Sequence, residues 1–138
     1  MTVGILGLGL IGGSLARAYK LAGHTVYAKN LEPEMLSFAM LAGAVDGVLD
    51  EETIPQCDLI LLAIHPEGSA AWLESNGGRI TRDTLVIDCC GTKQLVCGRC
   101  FPVARRYGFT FVGGHPMAGS QFSGFKYSRA TLFQGAPM

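Results

Sequence analysis

The sequence predicts an α/β domain built on a doubly wound, mainly parallel sheet with helices on both faces. Three observations predict it. Short apolar runs alternate with longer stretches of helical periodicity. One of those runs, CDLILLAI at 57–64, reads as an unbroken apolar strand covered on both faces, and TLVIDCC at 84–90 reads as another buried strand. A glycine-rich turn joins the first apolar run to the first helical stretch. This is the spacing of βαβ units, whose crossovers are right-handed.

The elements follow in order. VGILGL (3–8) reads as the first strand. Residues 11–22 put Ile11, Leu15, Ala18 and Leu21 at helical spacing, and Gly23 stops the helix. HTVYAKN (24–30) is the second strand. Residues 32–44 form a helix with Pro33 in its first turn. After the strand 57–64 comes a helix over 66–75, ended by Asn76-Gly77-Gly78. The strand 84–90 leads to a helix over 93–108, weakened by Gly98 and by an internal Pro102. FTFVGG (109–114) is the last strand. The remainder is rich in small residues, with a short helical pattern near 123–132.

Length and charge narrow the function. The 138 residues suit one domain, and nearly half are apolar. Eleven basic residues balance eleven acidic ones, and the longest basic cluster is Arg105-Arg106, so no nucleic-acid partner is expected. No apolar run reaches the ~18 residues a membrane span needs. The apolar N-terminus lacks a basic flank and reads as strand and turn rather than a signal peptide. Five cysteines without a secretion signal favour reduced thiols in a cytoplasm. Cys97 and Cys100 have C-x-x-C spacing and, with Cys89 and Cys90, four possible zinc ligands. Their place on a strand end and a helix favours small apolar packing instead, and no metal is expected. The final LFQGAPM has no polar fade-out, so the chain is expected to be one domain of a longer protein.

Gly7-Leu8-Gly9-Leu10-Ile11-Gly12 is a G-x-G-x-x-G in its required setting, after a strand and opening a helix. Gly7 permits the tight turn, Gly9 lets a pyrophosphate approach the backbone, and Gly12 lets helix and strand pack closely. The helix N-terminus beginning at Leu10 and Ile11 supplies free N–H groups for the phosphates. The pattern therefore predicts a dinucleotide-binding, Rossmann-type fold. The residue that reads the ribose, about 20 positions on, is ordinarily acidic and selects NAD. Here it is Asn30, which bonds a hydroxyl without repelling a 2′-phosphate. NAD and NADP both remain open.

Ligands in open α/β sheets bind beyond the carboxyl ends of the strands. Ile64 and His65 occupy that edge after the strand 57–64 and are expected near the cofactor, although His65 beside Pro66 also suits a plain helix entry. His115 occupies the edge after 109–114, next to a loop of Ala118, Gly119, Ser120, Ser123 and Gly124 that lets a substrate approach closely. An imidazole, with its pKa near 6.5, can take a proton from an alcohol as hydride leaves. Position favours His115 as the base.

Two stretches, GLGLIGGSLA and GGHPMAGSQFSGFKYSRATLFQGAP, resemble the prephenate dehydrogenase family, which includes arogenate dehydrogenases. The resemblance covers the whole chain, 1–138, as the family's nucleotide-binding domain. It implies oxidative decarboxylation of prephenate to 4-hydroxyphenylpyruvate with NAD or NADP, on the route to tyrosine. Arogenate oxidation and a non-catalytic NAD(P)-sensing module are the alternatives. It also implies His115 as catalytic base, and Thr92, Ser120 and Gln121 beside the substrate. A following helical domain would close the site and form a homodimer. The chain departs from the family at several points. Relatives often read D-V-G-S-x-K where this chain reads Asp88-Cys89-Cys90-Gly91-Thr92-Lys93, so Gly91 replaces a serine. Gln121 stands where Glu is frequent, and Asn30 replaces the usual acid.

Overall fold

The computed structural model describes residues 1–116 and 124–134. Its centre is one six-stranded parallel sheet. The strands are β1 (Thr2–Leu6), β2 (Thr25–Lys29), β3 (Gly47–Val48), β4 (Leu59–Leu62), β5 (Leu85–Asp88) and β6 (Thr110–Gly113). Their order is β3-β2-β1-β4-β5-β6. The helices are α1 (Leu10–Leu21), α2 (Pro33–Leu41), α3 (Pro66–Asn76) and α4 (Gln94–Tyr107). The order reverses between β1 and β4, which makes that crevice the topological switch point where ligands of such sheets bind.

Strand alternation divides the interior into two cores. Val3 and Ile5 of β1, with Leu59 and Leu61 of β4, face Leu15 and Ala16 of α1 and Ala39 of α2. Leu6, Ile60, Leu62 and Val86 face the other way, onto Trp72 and Leu73 of α3 and Val96, Cys100 and Ala104 of α4. This explains the unbroken apolar run in β4, since neither side of that strand meets water. Each such side chain contributes about 1.5–3 kcal/mol when fully buried.

The structure departs from the sequence expectations in three places. β3 was not expected. It has two residues, held by pairing of Gly47 with Tyr27 and Val48 with Ala28, and is too short to leave a pattern. Helix α4 runs uninterrupted through Pro102. Pro102 lacks the N–H that would bond the Gly98 carbonyl, but both residues lie on the exposed side, where that carbonyl is accessible to solvent. The helical pattern near 123–132 yields, among the described residues, only a 3-10 turn at Phe125–Tyr127. Phe125 is buried against α1, and Arg17 of α1 stacks on its ring 4.6 Å from the centroid. Ser14 of α1 accepts the Arg129 N–H at 3.0 Å, and Arg17 donates to Ser128 Oγ at 2.8 Å.

Candidate functional site

The glycine turn sits at the carboxyl end of β1, and each glycine has its own steric reason. Gly7 has φ +96°, a conformation that side chains rarely adopt. A Cβ on Gly12 would lie 1.8 Å from the Gly7 carbonyl oxygen, so only glycine allows this approach of helix to turn. A Cβ on Gly9 would meet nothing within 4 Å. The backbone of Gly9 is therefore bare toward open space, where a large anion could lie against it. Gly9 is the N-cap of α1 and has no side chain to cap it, and the first turn carries no acidic residue. The first intrahelical bond is Gly13 N–H to the Gly9 carbonyl, at 2.9 Å. The N–H groups of Leu10, Ile11 and Gly12 precede it and point out of the helix end.

Asn30 ties this turn to β2. Its Oδ1 accepts the Leu8 N–H at 3.0 Å, while Gly7 N–H donates to the Lys29 carbonyl at 2.8 Å. The amide orientation follows, because the group facing an N–H must be the oxygen. Nδ2 then donates to the Glu32 carbonyl at 3.3 Å. Beside Asn30 opens a cavity of about 220 Å³, lined by Lys29, Leu31, Ile64, His65, Gly68 and Trp72 among others. It lies over the ends of β1, β2 and β4, next to the glycine turn. Hollows of about 440 and 540 Å³ also exist. The first shares Lys29 and Trp72 but runs toward Asp50, Glu51 and Glu52; the second lies between α1 and Ser128–Ala130. Neither is lined by Leu6, Asn30 or Ile64, the residues of the smaller cavity that stand beside the glycine turn.

The two histidines of this sheet edge, His65 and His115, have different surroundings. His65 is the N-cap of α3, and its Nδ1 accepts the Gly68 N–H at 3.1 Å. This fixes the proton on Nε2 while the ring walls the cavity. The helix-entry reading of His65 holds. His115 is exposed at the end of β6, just after Gly114 N–H pairs with the Asp88 carbonyl at 2.8 Å. A Cβ built on Gly91 would stand 3.6 Å from His115 Nε2. A side chain at 91 would therefore touch the ring, and glycine keeps that side of the nitrogen clear among the described residues. Thr92 is exposed one residue further on and makes no side-chain hydrogen bond among the described residues. Ser120 and Gln121 lie outside the described residues.

Two groups that sequence reasoning left without a role support this edge. Asp88, fully buried at the end of β5, forms an ion pair with Lys93 and accepts the Cys90 N–H at 3.1 Å. Their five-residue separation was visible, but their pairing depends on how the loop folds back. Cys90 Sγ donates to the Ile64 carbonyl at 2.9 Å, joining the ends of β4 and β5. Burial first, then the nearby Asp88 carboxylate, push the Cys89 thiol up to about 12. Burial and Asp88 likewise push Cys90 up to about 12.

A parallel sheet of this strand order, with a glycine-rich turn at its switch point, defines a Rossmann-type nucleotide-binding domain. Residues 15–138 match the family described as prephenate dehydrogenase, nucleotide-binding domain. The chain belongs to the prephenate dehydrogenase family, as its N-terminal nucleotide-binding domain. It is 34% identical to a prephenate dehydrogenase of Bacillus subtilis over 98% of this chain and 38% of that protein. Among solved structures it is similar to the Synechocystis arogenate dehydrogenase, with 26% identity and TM-score 0.87. It is also similar to the prephenate dehydrogenase of Aquifex aeolicus in complex with hydroxyphenyl propionate and NAD+, with 28% identity and TM-score 0.83. It covers 99% of itself and 48% of the other chain in both cases. The chain thus spans less than half the length of these relatives. No helix among the described residues is long and apolar enough to cross a membrane.

Proposed function

We propose that this chain is the dinucleotide-binding and proton-accepting part of a dehydrogenase that converts prephenate to 4-hydroxyphenylpyruvate. The observation that supports the reading is His115 Nε2 standing over Gly91 on the sheet edge that also bears the glycine turn. Leu10 and Ile11 hold the pyrophosphate through their N–H groups, and Gly9 leaves room for it. Ile64 and His65 wall the adenosine side, and Asn30 faces the ribose. The bound nicotinamide dinucleotide supplies the hydride acceptor. His115 takes the proton of the ring hydroxyl as the hydride departs, and carbon dioxide loss restores the aromatic ring. Thr92, Ser120 and Gln121 complete the substrate side of this reading. Arogenate, which carries an amino group where prephenate has a keto group, is the second reading, favoured by the Synechocystis likeness.

The test is His115→Asn in the complete gene product, assayed with prephenate and with arogenate. Loss of a general base costs about 10²–10⁴ in kcat. Dinucleotide binding should be unchanged. A normal rate would transfer the proton-accepting role elsewhere or remove the catalytic reading. The 138-residue chain alone is expected to bind NADH or NADPH with little turnover; robust turnover would refute that expectation.

A further inference from the structure

Asn30 does more than replace an acid. Its Oδ1 is committed to the Leu8 N–H at 3.0 Å, and that contact determines which end of the amide faces outward. A carboxylate at this position would offer its second oxygen, an acceptor, to the ribose. Asn30 instead offers Nδ2, a donor, whose contact with the Glu32 carbonyl is long at 3.3 Å. Lys29, exposed, lines the same cavity as Asn30 and adds a positive charge to that wall, while also lining the adjoining hollow that runs toward Asp50, Glu51 and Glu52. Glu32 and Glu34 line a separate groove with Phe38 and Lys126, and Glu51 is paired to Arg79 at 3.2 Å. The wall where a ribose 2′ oxygen would lie thus carries a donor and a cation, with no carboxylate among the cavity's lining residues.

Resting on the dinucleotide reading above, we propose that Asn30 and Lys29 form a corner that accepts a 2′-phosphate, so that this chain selects NADPH over NADH. A phosphate monoester is an acceptor with up to two negative charges, and it suits a wall of donors. A hydroxyl can accept from Nδ2 as well, but it gains nothing from the Lys29 charge. The lysine acts as a point charge and needs no bidentate geometry.

The experiment is a fluorescence titration of the chain with NADPH and with NADH, at low and at raised salt. The expected result is at least tenfold tighter binding of NADPH, with the difference narrowing as salt rises. Asn30→Asp keeps the acceptor for the Leu8 N–H. It should weaken NADPH at least tenfold while leaving NADH within threefold or tighter. Lys29→Gln, on an exposed side chain, should weaken NADPH three- to tenfold and leave NADH unchanged. Tighter binding of NADH by the unaltered chain, or equal effects of both substitutions on the two dinucleotides, would overturn the proposal. Binding of neither dinucleotide would remove the underlying reading and this one with it.

Discussion

Asp88 and Lys93 form an ion pair in which the carboxylate is wholly buried and the ammonium partly exposed. Lys93 is also the N-cap of α4, where a lone cation would oppose the helix dipole. Asp88 resolves that conflict and accepts the Cys90 N–H as well. The pair therefore holds both ends of the loop that carries Gly91 beneath His115. Removing one partner of a buried pair costs about 3–5 kcal/mol, because the other charge is left uncompensated. Lys93→Met should fall near the lower figure, since the ammonium is partly hydrated. The Lys93→Met, Asp88→Asn double variant should cost less than the sum of the singles. Urea unfolding of the four proteins measures this; additive losses would mean that the pair is not coupled.

Gly9 and Gly12 make opposite predictions. Gly12→Ala would force a methyl to 1.8 Å from the Gly7 carbonyl oxygen and 3.3 Å from the Ala63 side chain. The turn must open, at a cost of about 3 kcal/mol. Gly9→Ala meets no atom within 4 Å and should change stability by no more than about 0.5 kcal/mol. Its methyl would nevertheless stand where the pyrophosphate is proposed to lie, and NADH affinity should fall at least tenfold. Thermal unfolding and NADH fluorescence separate the two effects. Undiminished NADH binding by Gly9→Ala would place the phosphates elsewhere.

The parts of this molecule that were legible in the sequence are those whose cause is local. β4 announced itself because a strand covered on both faces has no room for polar alternation, and β5 because even its half-buried side, Leu85 and Ile87, is apolar. The glycine turn was legible because its steric demands fall on adjacent residues. β3 was not, since Gly47 and Val48 become a strand only by pairing with Tyr27 and Ala28 of β2. The same holds at the site. His115 could be placed on the sheet edge from strand order. The orientation of the Asn30 amide could not, because it depends on the Leu8 N–H, 22 residues away. Asp88 and Lys93 were visible as residues, while their partnership required the loop between them.

The cysteines offer a test of packing against reactivity. Burial, the largest cause in each case, pushes the thiols of Cys57, Cys89, Cys90 and Cys100 up to about 12. All five cysteines are free. At pH 8 the four raised thiols carry about a thousandfold less thiolate than an ordinary cysteine. They should react with a disulfide reagent only as fast as the chain opens. Unfolding in guanidinium should release five titratable thiols. Rapid reaction of Cys57, Cys90 or Cys100 in the native chain would contradict their buried positions.

Asp46 should make stability depend on pH. Its Oδ1 accepts from Lys20 Nζ at 2.8 Å and its Oδ2 from the Val26 N–H at 2.8 Å. Burial alone would raise this carboxyl, but the Lys20 and Val26 hydrogen bonds and the Lys20 charge together outweigh it. The group is held below its ordinary value of 3.8. The unfolded chain therefore takes up a proton at higher pH than the native one, and stability falls as acid is added. The contribution is complete above about pH 5 and is lost as pH drops through the lowered native value. Asp46→Asn should cost about 1 kcal/mol at pH 7, a modest figure because the pair is partly exposed and screened. At pH 3 the gap between Asp46→Asn and the unaltered chain should narrow, and raised salt should narrow it further at pH 7. Urea midpoints at the two pH values provide the measurement. A gap of equal size at both would show that packing, rather than the carboxylate charge, joins β2 to the residues around Asp46.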